Sequence, residues 1–469
     1  MAGTGEERRI EGSRAAGWLR AGGAAFLLGW MLWFGWDGLG ASFAPDDMMN
    51  LGQYWHAGIA RSLFSNILIG SDAYRPMGAA FYLPIYALFG LDPMPFRVAI
   101  LILLILNTIL TYRLVKQLGG GEVAAGLAAL LTSYHAGLAD LHYNTAVVYD
   151  VLCYLFYCAT LTGYVRIRRE GRKPRKAEWA WGFVLCLSAL NSKEMAATLP
   201  VVVLAYEWLF ERERTWAPGL AMGALAAISI AGKLLGGDSL IAQAEYRPVL
   251  TVARFFENSV LFANELVYST DFFSLNRVVI LWAAMAAWAW WSRRPELQLA
   301  WVLLMVAPLP VVFLSGRIHS CLYLPLLGWA IYAAVCFDCA VRRISQGNGA
   351  ARALLTGAAL LGLAWTTDRQ KRKVMPQYEQ SNELTARVIR QFRELEPRAT
   401  PGSSVLLVND PFPEWDAQFI ADLWFQDRSV SVWLQNKAHF RQDEIREKMQ
   451  LVLRFDGDRL VAVDPAQMR

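Results

Sequence analysis

Charge is what this sequence has least of for its size. Asp, Glu, Lys and Arg make up 18% of its 469 residues, where a soluble domain carries about 25%. So little charge cannot coat a soluble surface of this size, which excludes an ordinary soluble globular protein. Histidine is scarcer still, at 5 residues. The 6 cysteines all lie in or beside apolar segments and none follows Asp368, so no disulfide supports that end. Cys336 and Cys339 form a CxxC, readable as a redox or metal pair or as small apolar residues of a helix. No second pair or nearby histidine completes a zinc set. Internal repeats and low-complexity segments are missing too. No Asn-x-Ser/Thr acceptor occurs, which favours a bacterial inner membrane over the endoplasmic reticulum. The apolar stretch Ala21–Trp36 lacks a small-residue cleavage site, so it reads as a span and not as a removable signal.

What is present is apolar. Hydrophobic residues reach 55%, with 19 tryptophans. A bilayer-spanning helix needs about 20 mostly apolar residues, and the runs predict about eleven spans. They are expected near 19–37, 96–116, 122–140, 144–165, 177–192, 195–211, 216–234, 274–292, 297–314, 320–341 and 350–367. Basic residues fall in bursts between the runs: Arg8, Arg9, Arg14 and Arg20, then Arg166 to Lys176, with smaller groups at Arg113/Lys116, Arg212/Arg214, Arg293/Arg294 and Arg342/Arg343/Arg352. Such bursts mark cytoplasmic loops and leave no nucleic-acid footprint. With the N-terminus inside, every burst is cytoplasmic and the C-terminus is periplasmic.

Two long stretches then face outward, 38–95 and 235–273. The first holds amphipathic pieces near 47–63 and 75–90, the second Val252–Tyr268, each suited to the membrane interface. From Asp368 the pattern changes. Leu384, Val388, Phe392 and Leu395 mark an amphipathic helix, Val405–Val408 a buried strand, 416–425 a helix and Ser429–Leu434 a strand. Leu451–Phe455 and Leu460–Val463 flank the turn signal Asp456-Gly457-Asp458. The expected architecture is an all-α polytopic membrane protein, residues 1–367, followed by a small α/β domain, 368–469, outside the membrane.

Polar residues at membrane depth are costly and tend to be functional. Asp46-Asp47, directly after the first span, can supply a general base or hold a cation for a phosphate leaving group. Pro45 followed by two acids is equally a normal helix first turn. Lys193-Glu194, at the end of the fifth span, neutralises itself or offers Lys193 to a phosphate. Arg75, in Tyr74-Arg75-Pro76, either snorkels or faces the same site. Arg317 lies in a short outer loop, Ser315 to Pro325, with His319 and Tyr323, where the positive-inside trend disfavours a cation unless an anion binds. His135, His142 and Asp150 flank the loop between the third and fourth spans, either packing against neighbouring helices or binding substrate. His56 and His439 read as surface residues.

The order of these motifs resembles that of the integral-membrane glycosyltransferases of the GT-C superfamily. The acidic pair, Tyr-Arg-Pro, the histidine loop, Ser-Lys-Glu and an arginine loop entering Tyr-Leu-Pro follow one another over residues 20–340. The pattern is most similar to the protein O-mannosyltransferases, the tetratricopeptide-containing O-mannosyltransferases and their bacterial relatives, although this chain has no tetratricopeptide run. The resemblance implies a sugar donor on a polyprenyl phosphate and transfer on the outer face to a protein, lipid or glycan acceptor. It places Asp46 and Asp47 at the acceptor hydroxyl and Lys193, Arg317 and Arg75 at the carrier phosphate. His135, His142, Asp150, Glu194, His319 and Tyr323 complete the expected substrate-binding set. A divalent cation is compatible with the site, but no residue pattern requires one. The rival classes are a flippase of lipid-linked sugar and a lipid-linked oligosaccharide ligase or polymerase.

Overall fold

The computed structural model describes residues 5–68, 75–133, 135–235, 247–315, 319–437, 449–457 and 459–464. Helix α1 (Gly5–Leu39) leads into three short helices, α2 (Pro45–Ala57), α3 (Ile59–Phe64) and α4 (Pro76–Phe89). Then come α5 (Pro93–Gln117), α6 (Glu122–Ser133), α7 (Asp140–Tyr143), α8 (Val148–Arg169), α9 (Lys176–Leu190), α10 (Leu199–Phe210) and α11 (Ala217–Leu235). After them follow α12 (Val252–Leu266), α13 (Leu275–Trp291), α14 (Pro295–Val306), α15 (Leu309–Val312), α16 (Tyr323–Ser345) and α17 (Gly349–Leu395). The amphipathic pieces expected at 47–63, 75–90 and 252–268 are the helices α2 to α4 and α12.

Among the described residues, 6 helical stretches are long and apolar enough to cross a membrane: Pro93–Gln117, Thr145–Arg169, Ala217–Leu235, Pro295–Val312, Ser320–Ser345 and Gly349–Leu395. The chain is a multi-pass membrane protein. The expected number near eleven is not confirmed among the described residues, where several apolar runs form shorter helices. Residues 122–140 break after Ser133 into a 3-10 turn and α7, and 195–211 begins as a 3-10 turn, Glu194–Thr198, before α10.

Close helix contact depends on glycine. A Cβ on Gly328 of α16 would lie 2.5 Å from the Leu304 nitrogen and 2.8 Å from the Ala300 oxygen of α14. Small residues let membrane helices approach until dispersion contacts hold them. All six cysteines are free thiols.

Helix α17 crosses the expected boundary at 367/368 without a break. Asn348 caps it by accepting from the Ala350 and Ala351 N–H groups. Midway, Lys371 is buried against the end of α1, donating to the Phe34 carbonyl and, at 3.1 Å, to Asp37. Past α17 lies a four-stranded sheet in the order β2-β1-β3-β4, made of β1 (Ser404–Val408), β2 (Ser431–Leu434), β3 (Met449–Asp456) and β4 (Arg459–Val463), with α18 (Asp416–Phe425) between β1 and β2. β1 is parallel to β2 and β3, and β4 is antiparallel to β3. All five residues of β1 are buried, as a central parallel strand requires. The apolar core runs on from the membrane helices through Phe392 and Ile420 into Leu407 and Leu453.

The end of α1 is held by the same glycine device. A Cβ on Gly38 would stand 2.5 Å from the His142 carbonyl oxygen, whereas one on Gly29 would meet nothing within 4 Å. Gly38→Ala should therefore cost about 1–3 kcal/mol by overpacking. Gly29→Ala should leave stability unchanged or slightly raised. Thermal unfolding of the purified variants measures both.

Candidate active site

The acidic pair opens α2, and the two carboxylates have different surroundings. Asp47 is fully buried. Its Oδ2 accepts from the Ala44 N–H at 2.9 Å, capping α2, and from Arg97 at 3.1 Å. Its Oδ1 accepts from the Thr145 hydroxyl at 2.5 Å and the Ala146 N–H at 2.7 Å. Arg97, on α5, is itself buried and also donates to the Ala41 and Ser42 carbonyls. One carboxylate thus ties together the start of α2, helix α5 and the turn before α8. Asp46 is exposed.

Asp46, Asn50 and Tyr54 recur every four residues, so they share one face of α2. Asn50 donates to the Asp46 carbonyl at 2.8 Å and accepts from the Tyr149 hydroxyl at 2.8 Å. The Tyr54 and Tyr149 hydroxyls lie 2.9 Å apart, and Tyr54 donates to the Arg75 carbonyl at 3.0 Å. A Cβ on Gly78 would fall 2.4 Å from both tyrosines, so only glycine lets α4 close against them. The Arg75 guanidinium lies 4.9 Å from the centre of the Tyr149 ring and donates to both Glu194 oxygens, at 2.9 and 3.1 Å. Lys193 donates to both Asp150 oxygens, at 2.6 and 2.7 Å, and its Nζ lies 3.4 Å from Cys321 Sγ. Lys233, near the end of α11, donates to the Leu190 carbonyl at 2.6 Å and acts on the charge of Glu194.

The structure therefore brings Arg75, Asp150, Lys193 and Glu194 together beside α2. Lys193 needs no external anion for its neutralisation, because Asp150 supplies one. Tyr54, Asn50, Tyr149, Gly78 and Lys233 are members that the sequence reading did not single out. The four-residue spacing from Asp46 could have found Asn50 and Tyr54; nothing local marks the others.

Other expected residues have different surroundings. His135 stacks on Tyr268 at 4.4 Å, with Nε2 3.1 Å from the Leu266 carbonyl and Nδ1 accepting from the Gly137 N–H. His142 packs edge-on against Phe34, and burial, reinforced by Lys371, pushes its imidazole down to about 3. Tyr323 is fully buried, stacked on Tyr154 at 4.4 Å and accepting from Asn107. Arg317, His439 and the side chain of His319 lie outside the described residues, as do Tyr74 and Asp458. Among the described residues, no group of three or more His, Cys, Asp or Glu is placed to hold a metal.

Residues 74–232, which include Arg75, Asp150, Lys193 and Glu194, match the family of dolichyl-phosphate-mannose-protein mannosyltransferases. Among solved structures, the chain resembles ArnT from Cupriavidus metallidurans in the apo state, with a TM-score of 0.52 at 12% identity over 94% of both chains. The family match over that segment and the fold resemblance both support a GT-C type of membrane glycosyltransferase. The same ArnT bound to undecaprenyl phosphate aligns at a TM-score of 0.48 and 14% identity, again over 94% of each chain. No curated protein matches the chain.

In this chain the segment after α17 packs against the helix that carries the acidic pair. A Cβ on Gly52 of α2 would lie 2.7 Å from the Phe419 ring of α18. His56 Nε2 lies 2.9 Å from the buried Asp422 carboxylate, and Arg428 donates to the Trp55 carbonyl at 2.6 Å. A cavity of about 360 Å³ opens here, lined by His56, Trp415, Gln418, Asp422, Arg428 and Lys437, among others. At the start of α18, burial and then the charges of Asp46, Asp410 and Glu414 push the Asp416 carboxyl up to about 6.

Two predictions follow from this geometry. Asp47→Asn leaves Arg97 buried without its anion, and breaking such a pair costs about 3–5 kcal/mol. Asp46→Asn, at an exposed position, should stay within about 0.5 kcal/mol. Melting temperatures of the two purified variants separate them. Asp416 has a folded value above its unfolded one, so its ionisation opposes folding. The penalty is absent below about pH 4, grows until about pH 6 and is constant above. Asp416→Asn should therefore stabilise the protein by up to about 2–3 kcal/mol at pH 7, with the gain vanishing towards pH 4 in a melting series.

Proposed function

We propose that this chain moves a sugar from a polyprenyl-phosphate carrier to an acceptor hydroxyl. The observation that carries this reading is the set of cations gathered beside the helix that bears Asp46. Arg75 pairs with Glu194 and Lys193 with Asp150, and Lys233 lies within electrostatic reach of Glu194. Cations fixed in a low-dielectric site stabilise an anion that enters it. Arg75 keeps 20% of its side chain exposed, so it is the member best able to reach a carrier phosphate. Lys193, held on both Asp150 oxygens, acts as a positioning residue behind it. The matching family takes its sugar from dolichyl phosphate, a polyprenyl-type carrier.

The chemistry then follows from where charge develops. Asp46, exposed on α2, accepts the proton of the acceptor hydroxyl. The acceptor oxygen bonds to the anomeric carbon as the bond from that carbon to the phosphate oxygen breaks. The bonding pair stays on the phosphate, whose added negative charge is stabilised by Arg75. Attack opposite the leaving group inverts the anomeric centre. Asp47 holds α2 in place for this step through Arg97 and the 145–147 turn. The cavity between α2 and α18 supports a role for the 368–469 segment in acceptor choice, because its lining belongs to both. The distribution of Lys and Arg supports a bacterial inner membrane with the N-terminus cytoplasmic and the C-terminal domain periplasmic.

Asp46→Asn should lower transfer about 10²–10⁴-fold while leaving binding of the polyprenyl-phosphate sugar unchanged. Arg75→Ala should weaken that binding, and Arg75→Lys should restore only part of it, since the planar fork is lost. Transfer from a radiolabelled donor and equilibrium binding of the same lipid measure the two effects. Near-normal transfer by Asp46→Asn would remove the base and favour a flippase. For orientation, reporter fusions at residue 172 and after residue 469 should lie on opposite sides of the membrane.

A further inference from the structure

A second cavity, of about 290 Å³, lies at the other ends of α8 and α9, where they meet α11. Helix α8 begins at Val148, next to Tyr149 and Asp150, and α9 ends at Leu190, just before Lys193. At 1.5 Å per residue, Gly163 and Arg166 of α8 lie about 20–24 Å along the helix from Asp150. This cavity is therefore no part of the carrier site.

Its lining has two ends of different chemistry. Arg166 and Arg172 stand at one end, in the basic segment 166–176; Ala159, Gly163, Gly182 and Met222 form part of an apolar floor. Trp179 and Trp181 line the wall, and Trp181 is 67% exposed on the outer surface of the helices. Tryptophan at such a level is characteristic of the membrane–water interface. The groove is open because two glycines leave it so. A Cβ on Gly163 would meet nothing within 4 Å, and one on Gly182 would meet only the Met222 methyl, at 3.6 Å.

The charge at the rim is unbalanced. Arg172 is held by Glu178 through two contacts of 2.6 Å. Arg166 is 75% exposed and has a single long contact, 3.4 Å to Glu170. Arg169, Lys173, Arg175 and Lys176 share the same segment. An apolar floor with a cationic rim at interface level fits a ligand that carries an anionic head on an apolar tail.

We propose that this cleft binds an anionic phospholipid of the bilayer, its phosphate against Arg166 and an acyl chain along Gly163 and Gly182. A zwitterionic lipid brings a cationic headgroup along with its phosphate, which the basic rim disfavours, so the site discriminates by net headgroup charge.

Native mass spectrometry of the full-length protein, exchanged into micelles with equimolar dioleoyl-phosphatidylglycerol and dioleoyl-phosphatidylcholine, tests this. Phosphatidylglycerol should be retained about fivefold over phosphatidylcholine. Arg166→Gln should abolish most of that preference, and Gly163→Leu should remove the bound lipid by filling the floor. Should Gly163→Leu fail to fold, Gly163→Ala should give a partial loss while keeping the wild-type melting temperature. Two controls fix the ligand class: inorganic phosphate should not displace the lipid, and undecaprenyl phosphate should not compete for it. Equal retention of both phospholipids, wild-type retention by a folded Gly163→Leu, or displacement by either control would overturn the proposal.

Discussion

The arrangement on the α2 side rests on one buried carboxylate. Asp47 accepts four hydrogen bonds from three elements that are far apart in the chain: the residue before α2, the arginine of α5 and the turn that precedes α8. Taking the Asp47–Arg97 pair out of water is costly, and an apolar pair of the same shape would often be as stable. What the ion pair supplies is register. A carboxylate with all its donors in place has one orientation, and so does the helix that it caps. That orientation leaves Asp46 exposed, with Asn50 and Tyr54 following on the same face.

Around this pin the charged residues fall into matched pairs, each drawn from separate segments. Arg75 meets Glu194 across 119 residues, and Lys193 meets Asp150 across 43. The tyrosine pair Tyr54 and Tyr149 joins the first of these to α2. Rigid pairing of this kind preorganises a site, because the dipoles and charges need not rearrange when charge develops on a leaving group.

The far end of the chain is bound into the same arrangement. Lys371 fixes α17 to the end of α1, and α18 lies in van der Waals contact with Gly52 of α2. The sheet beyond α17 therefore reports on α2 directly: Asp416 feels the charge of Asp46, and Asp422 bonds to His56. An acceptor held by the sheet would be presented to the helix that bears the proposed base.

Much of this was legible in the linear sequence, for a physical reason. Segments that must satisfy their backbone inside lipid have to be apolar helices, and buried strands between turns have to be short apolar runs, so composition and period locate both. Strand β1, helix α18 and the helices α2 to α4 and α12 appear where the pattern put them, and of the charged motifs the fold gathers Arg75, Asp150, Lys193 and Glu194. The sequence by itself determined a helical membrane protein with a small mixed tail, and named Asp46, Arg75, Asp150, Lys193 and Glu194 as residues out of place in apolar surroundings. Only the tertiary structure decided their partners. It buried Asp47 while exposing Asp46, neutralised Lys193 with Asp150, turned His142 and Tyr323 into packing residues and joined the expected last span and the tail's first helix into α17. Partners of this kind are fixed by helix crossings dozens to hundreds of residues apart, and a crossing depends on where small residues such as Gly78 or Gly328 let two backbones meet. Local spacing carries no record of that.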